Sequence, residues 1–167
     1  SRRRERNKRA RFREPFGKVM EEERELTMMI LVDISASMNY GTQNQLKREY
    51  VAEIAASLGF SAAGNNDKVG LILFADKVYK VIPPQKGRKH VLSIISSILT
   101  ANYVQAQSKI DYALHYMMGI FKRKSLVFLL SDFNDDYDAK ILAVASKKHQ
   151  VLGIRIYDEK DDEIPDV

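Results

Sequence analysis

The chain has 167 residues, which suits a single domain, and an apolar content of 45% that is ordinary for a protein with a buried core. It contains no cysteine, which excludes disulfides, thiolate metal sites and a cysteine nucleophile, and we expect a cytoplasmic location. No apolar run approaches the roughly 20 residues that cross a bilayer, so we expect no membrane span.

The formal net charge of +5 belongs to one segment of the chain. Residues 1–18 have a net charge of +7, and the remainder has −2. We therefore divide the chain into a basic segment at 1–20, solvated or partly ordered, a folded domain at 21–160 and an acidic tail at 161–167. Binding of nucleic acid or an anionic surface by the basic segment is one alternative function, although only Phe12 and Phe16 could stack on bases.

Apolar patterns predict alternating strands and helices along most of the chain. Two strands separated by three residues predict an antiparallel hairpin, and Pro83-Pro84 after the second of them indicates a sheet edge. The pattern predicts an α/β fold with a doubly wound, mostly parallel sheet flanked by helices and one antiparallel edge strand. The predicted strands lie at 28–32, 69–74, 78–82, 126–130 and 151–156, and the helices at about 46–58, 89–99, 110–121 and 137–147.

Two carboxylates follow predicted strands directly, Asp33 after the first and Asp132 after the strand at 126–130. Ligands of open α/β sheets bind at the carboxyl ends of the strands, so these side chains share one crevice if the two strands are neighbours. In extended chain, Ser35 and Ser37 would point to the same side as Asp33. Carboxylate and hydroxyl oxygens suit Mg²⁺, with Mn²⁺ or Ca²⁺ as substitutes. Because two carboxylates only just neutralise such a cation, it could accept a further carboxylate from another protein.

Other polar residues give weaker signals. His90, His115 and His149 lack the spacing of a metal site, and we expect them at surface or partly buried positions. Asp135 and Asp136 are interpreted as turn and helix-terminal residues. The chain has no phosphate-binding GxxxxGK[ST] loop, so nucleotide hydrolysis is not expected.

The segment Asp33-Ile-Ser-Ala-Ser-Met38 resembles the DxSxS motif of the metal-ion-dependent adhesion site (MIDAS) in von Willebrand factor type A (vWA) domains. Over about residues 20–166, the chain resembles a bacterial branch of these proteins, the family called "domain of unknown function 58". The matching segments keep their order and spacing, and they lie at 22–26, 33–38, 66–74, 83–88 and 122–133.

This resemblance implies metal ligands from three loops, with Asp33, Ser35 and Ser37 in the first and Asp132 in the third. The second loop of the family supplies a Thr that is followed by an acid. The Ala-Leu pair at 113–114 places that position at Ser108, where Lys109 stands in place of the acid. Thr100 is the alternative ligand from this region.

The resemblance also implies a non-enzymatic protein-interaction domain whose metal takes an Asp or Glu of a partner. Proteins of this family commonly accompany MoxR-type AAA+ ATPases, so such an ATPase or its client is the implied partner. No small-molecule substrate and no nucleic acid is expected. The residues predicted to contact the partner are Met38, Asn39, Tyr40, Phe133 and Asn134.

A second alternative is Mg²⁺-dependent phosphoryl transfer. An Asp after the first strand resembles the nucleophile of haloacid-dehalogenase-type phosphatases, which need a second acid at the position of Ser35. Serine is a poor general acid, and no Lys or Arg lies between Asp33 and Met38 to stabilise a transferring phosphoryl group. Because the segment offers neither a general acid nor a phosphoryl-stabilising cation, the phosphatase hypothesis is weaker than the metal-dependent interaction hypothesis.

Overall fold

The computed structural model describes residues 9–13, 19–23, 25–39 and 44–157. A short 3₁₀ helix spans Ala36–Asn39. The strands are β1 (Arg9–Arg13), β2 (Val19–Glu23), β3 (Thr27–Asp33), β4 (Lys68–Phe74), β5 (Val78–Gln85), β6 (Leu126–Ser131) and β7 (Gln150–Arg155), and the helices are α1 (Asn44–Gly64), α2 (Arg88–Leu99), α3 (Ile110–Ile120) and α4 (Ala139–Lys148).

Five strands form one sheet in the order β5-β4-β3-β6-β7. Strands β4, β3, β6 and β7 are parallel, and β5 pairs antiparallel with β4 at the edge. The chain winds outward from β3 in one direction through β4 and then in the other through β6, so strand order reverses between β3 and β6. The predicted doubly wound α/β fold with one antiparallel edge strand is confirmed.

The edge strand β5 runs to Gln85 and includes Pro83 and Pro84, whereas the sequence prediction ended it at residue 82. Proline cannot donate a ladder hydrogen bond, but an edge strand leaves one side unpaired and so tolerates it. The pairing with β4 is irregular between Val69 and Leu71, next to the prolines.

Both faces of the sheet are covered by helices, which explains the continuous apolar runs in the strands. Ile30 and Val32 of β3 face a core formed with α1 and α2, while Met29 and Leu31 face a second core formed with α3 and α4. All four side chains are fully buried. Burial of each contributes about 1.5–3 kcal/mol before chain entropy is subtracted.

Helices α1 and α2 approach closely at Gly59. A Cβ atom at this position would lie 2.7 Å from Val91 Cγ1, so a larger residue would require the Val91 side chain or the helices to shift. Helix α1 continues to Gly64, six residues beyond the predicted end, and the chain then turns through Asn66 in the left-handed region at φ 61°.

The basic N-terminal segment contains an antiparallel strand pair that the sequence analysis did not predict. β1 pairs with β2 as a separate sheet, in a register that sets Arg9 opposite Glu23 and Arg11 opposite Glu21. The predicted boundary at residue 20 falls inside β2, and the predicted acidic tail at 161–167 lies outside the described residues.

Across the described parts of the chain, the helices lack the combination of length and apolar character that a membrane crossing requires.

His149 is buried, with 1% of its surface exposed, so the prediction of a surface or partly buried position was wrong. Its Nδ1 accepts a hydrogen bond of 2.9 Å from the backbone N–H of Ser125, where β6 begins. Burial lowers the pKa of His149, the positive charge of Lys148 lowers it further, and a backbone interaction with Phe121 opposes the shift. The neutral imidazole therefore joins the end of α4 to the start of β6.

This arrangement predicts an acid-sensitive component of stability. Because the pKa of His149 is lower in the folded state than in the unfolded chain, the folded state binds fewer protons, and the free energy of unfolding falls as pH drops below about 6.5. His149→Asn keeps an acceptor near the Nδ1 position but cannot be protonated, so urea unfolding between about pH 7 and pH 5 should show a smaller loss of stability. His115→Asn, at an exposed position, is the control. Equal pH dependence in the His149 variant and the wild type would contradict the assignment.

Candidate functional site

The candidate site lies at the carboxyl ends of β3 and β6, where the strand order reverses. β3 and β6 are parallel neighbours with Val32 opposite Leu130, so the loops that follow them begin side by side. Asp33 is the last residue of β3, and Asp132 directly follows β6. The condition stated in the sequence analysis, that these two strands are neighbours, is therefore met.

Asp33 is fully buried and held by two hydrogen bonds. Its Oδ1 accepts a 2.8 Å bond from the backbone N–H of Ser35, and its Oδ2 accepts a 2.5 Å bond from the Ser131 hydroxyl. Burial raises the pKa of Asp33, and the hydrogen bonds from Ser131 and Ser35 and an interaction with the Ser108 hydroxyl partly offset that effect. The site therefore holds a carboxylate whose charged form lacks the solvation that water would give.

Ser35 and Ser37 lie together, but not for the reason given from the sequence. The chain leaves the extended conformation after Asp33 and enters the 3₁₀ helix at Ala36, so the alternation argument for an extended segment was wrong. The turn nevertheless brings the two hydroxyls together, with 3.3 Å between the Oγ atoms. Ser35 is fully buried and Ser37 is half-buried.

The structure distinguishes between the two candidates for the second-loop ligand. Ser108 is buried, and its hydroxyl is close enough to Asp33 to influence the pKa of that carboxyl. Thr100 is exposed at the end of α2, and its hydroxyl donates a 2.8 Å hydrogen bond to the Ser96 carbonyl. The fold thus brings Ser108 to the site and leaves Thr100 outside it.

Two oxygens at this site are buried without a hydrogen-bond partner, Ser108 Oγ and Asp132 Oδ2. The other carboxylate oxygen of Asp132 accepts a 3.1 Å bond from the backbone N–H of Asn134. An unsatisfied buried polar group costs about 1–3 kcal/mol, and most such groups in folded proteins have a partner. Within the described ranges no three His, Asp or Glu side chains cluster, so a cation here would depend on two carboxylates and neighbouring hydroxyls. This oxygen-rich set fits a hard divalent cation.

Hydrogen bonds between loops hold the site in place. The backbone N–H of Ile34 donates to the Phe74 carbonyl at 2.8 Å, and the backbone N–H of Val104 donates to the Ile34 carbonyl at 3.0 Å. The backbone N–H of Ser108 donates to Asp135 Oδ2 at 2.8 Å. These bonds tie the loops that carry the candidate ligands to one another.

Sequence reasoning missed three residues of the site. Ser131 orients Asp33, and its position as the one hydroxyl at the end of an apolar strand was a usable signal. Asp135, interpreted as a turn residue, anchors Ser108 across 27 positions of sequence, for which no local signal exists. Tyr103 has a buried hydroxyl without a hydrogen-bond partner, and burial and then the Asp33 charge raise its pKa, while Arg48, 4.7 Å from the ring centroid, opposes that shift.

The predicted partner-contact residues differ in accessibility. Met38 is fully buried in the core beneath α1, so its prediction as a contact residue was wrong. Asn134 is exposed, Asn39 and Phe133 are half-buried, and Tyr40 lies outside the described residues.

Both the sequence and the fold of this chain are similar to those of known bacterial proteins. An uncharacterized protein of Mycobacterium tuberculosis is 28% identical over 161 residues, covering 95% of this chain but 51% of its own length. An aerotolerance-related membrane protein from Bacteroides fragilis, solved with multiple mutations to serine, superimposes with a TM-score of 0.61 at 16% identity, covering 85% of this chain and 77% of its own. The conserved hypothetical protein BatB from Bacteroides thetaiotaomicron gives a TM-score of 0.58 at 17% identity, with coverage of 78% and 66%. These structures share the vWA-like fold.

The chain spans about half the length of the curated relatives that it matches. The family model described as "Protein of unknown function DUF58" matches residues 2–167. The chain therefore belongs to the DUF58 family.

Proposed function

We propose that this domain is a non-enzymatic interaction module that binds Mg²⁺ at a MIDAS-type site and uses it to recruit an acidic residue of a partner protein. Mn²⁺ or Ca²⁺ could substitute. The carrying observation is the pair of buried oxygens without partners, Ser108 Oγ and Asp132 Oδ2, on the loops beside the buried carboxylate of Asp33. The proposed ligands are Asp33, Ser35, Ser37, Ser108 and Asp132.

The charge of the site favours an acidic partner. Two carboxylates balance the two charges of the cation without exceeding them, and the serine hydroxyls add none, so a coordination position left open on the cation could accept one more carboxylate. Asn134 is exposed directly after the site and could contact the partner backbone or side chains. We propose that Asn39, Tyr40 and Phe133 border the same surface, and Met38 is no longer among the contacts.

The partner is proposed by family likeness. The resemblance to DUF58 proteins, together with the family match, supports a MoxR-type AAA+ ATPase or its client as the protein that supplies the acid. The solved structures support the fold alone, since their sequence identity is below 25%. We place this interaction in the cytoplasm because the chain uses no cysteine.

Asp33→Asn removes the buried charge and should therefore change both the stability of the protein without metal and its response to Mg²⁺. In EDTA at neutral pH, the neutral amide avoids the desolvation of a carboxylate, so the variant should gain on the order of 1 kcal/mol, or about 2–4 °C in Tm. Added Mg²⁺ should raise the Tm of the wild type and leave that of the variant unchanged, because a charged ligand is lost.

Asp136→Asn is the matched control, since Asp136 is exposed on the loop that follows Asp132. It should respond to Mg²⁺ as the wild type does. A wild-type Tm that Mg²⁺ does not change, at concentrations up to tens of millimolar, would count against the metal site.

Asp135→Ala tests whether the Asp135 carboxylate positions Ser108, the proposed metal ligand of the second loop. Without the Asp135 carboxylate, the backbone N–H of Ser108 loses its acceptor, and Mg²⁺ affinity measured by calorimetry should fall roughly tenfold. Asp135→Asn retains an acceptor oxygen and should lose less, and Asp136→Ala should lose nothing. If the two alanine variants bind Mg²⁺ equally well, Asp135 does not position a ligand.

Partner binding should depend on the cation. Surface plasmon resonance with a MoxR-type ATPase of the same organism should show binding in Mg²⁺, loss in EDTA and recovery when Mg²⁺ returns. Binding that survives EDTA but weakens steeply with salt would instead assign the contact to the basic segment.

A further inference from the structure

A cleft of about 350 Å³ lies between α4 and β7, next to the candidate metal site. Phe133, which directly follows Asp132, lines this cleft, and Ile110, two residues after Ser108, lines it as well. The segments that carry Asp132 and Ser108 therefore each contribute a residue to the cleft, although no proposed metal ligand lines it.

The cleft depends on an unusual placement of Phe133. This residue has a φ of 55°, in the left-handed region that non-glycine residues rarely adopt. Its ring lies over Gly153, where a Cβ atom would come within 3.1 Å of Phe133 Cζ, and it meets Tyr137 edge-to-face at 6.2 Å between centroids. Left-handed backbone at Phe133 and glycine inside a strand both cost stability, and such features concentrate at functional sites.

The chemistry of the cleft is that of a pocket for an apolar group. Leu129, Leu142 and Val151 line it along with the Phe133 ring, Ser146 and Arg155 supply polar lining, and no acidic residue is among the lining. Tyr137 is 40% exposed and Phe133 is half-buried, so aromatic surface remains accessible. An aromatic or branched aliphatic side chain would bury this apolar surface.

We propose that this cleft receives an apolar side chain from the same partner segment whose carboxylate reaches the metal. The proposal rests on the proposed function and specifies its partner as a short segment with an Asp or Glu close to a large apolar residue. Since the cleft begins one residue from Asp132, a spacing of about one to three residues in the partner would serve both positions. The metal would then select the acid, and the cleft would select its neighbour.

Capped heptapeptides can test this directly. A reference peptide has a central Glu among Gly and Ser, and six further peptides replace one of the other positions with Phe. Binding is followed in Mg²⁺ by chemical-shift titration of the ¹⁵N-labelled protein. At least one position of Phe should improve affinity roughly tenfold over the reference, because an aromatic ring is removed from water. The amides of Gly153 and Ser146 should shift in that complex only.

Two serine-to-phenylalanine variants provide the matched pair. Ser146 is exposed on α4 and lines the cleft, so Ser146→Phe should fill it and abolish the preference for the Phe peptide. Mg²⁺ affinity and binding of the reference peptide should stay unchanged. Ser93 is exposed on α2, which packs on the opposite face of the sheet, and Ser93→Phe should keep the full preference.

The outcomes separate the two proposals. Equal, EDTA-sensitive binding of all seven peptides would overturn the cleft assignment and leave the metal function intact. A Phe preference that survives in Ser146→Phe would also overturn it, as would self-association that Ser146→Phe removes, since a second copy would then be the occupant. Equally tight binding of the Phe peptide in EDTA and in Mg²⁺ would overturn the metal-linked function on which the cleft proposal rests.

Discussion

One hydrogen bond, from Ser131 Oγ to Asp33 Oδ2, joins residues 98 positions apart at the centre of the candidate site. It can form because β3 and β6 are parallel neighbours in a single register. Ser131 also accepts a bond from the backbone N–H of Phe133, so the same hydroxyl fixes the start of the loop that follows β6. The site is therefore a product of strand pairing, and its buried carboxylate would be poorly solvated without that partner.

The sheet was predictable because the apolar pattern of each strand is visible in its own local sequence. Met28–Val32 and Leu126–Leu130 are continuous apolar runs, which require burial on both faces and hence a parallel sheet between helices. The positions of Asp33 and Asp132 followed from where those runs end. Because β3 and β6 are parallel neighbours, the loops that follow Asp33 and Asp132 begin side by side at the carboxyl end of the sheet, which is where ligands of doubly wound sheets bind.

Positions that depend on tertiary contacts were not predictable from local sequence. The resemblance placed the second-loop ligand at Ser108 with Thr100 as the alternative, and the path of the chain between α2 and α3 buries Ser108 and leaves Thr100 exposed. Met38 belongs to a polar loop in sequence, but the 3₁₀ helix turns it into the core. His149 became a buried acceptor because Gln150 pairs with the start of β6, which brings Ser125 beside the imidazole.

Pro83 and Pro84 bear on how the protein behaves at high concentration. They lie in β5, whose outer side is an unpaired edge of the described sheet. Each proline lacks the amide hydrogen that an incoming strand would need as a donor, and the irregular pairing beside them disturbs the flat template. That edge is therefore protected against intermolecular strand addition, the first step of β-type aggregation.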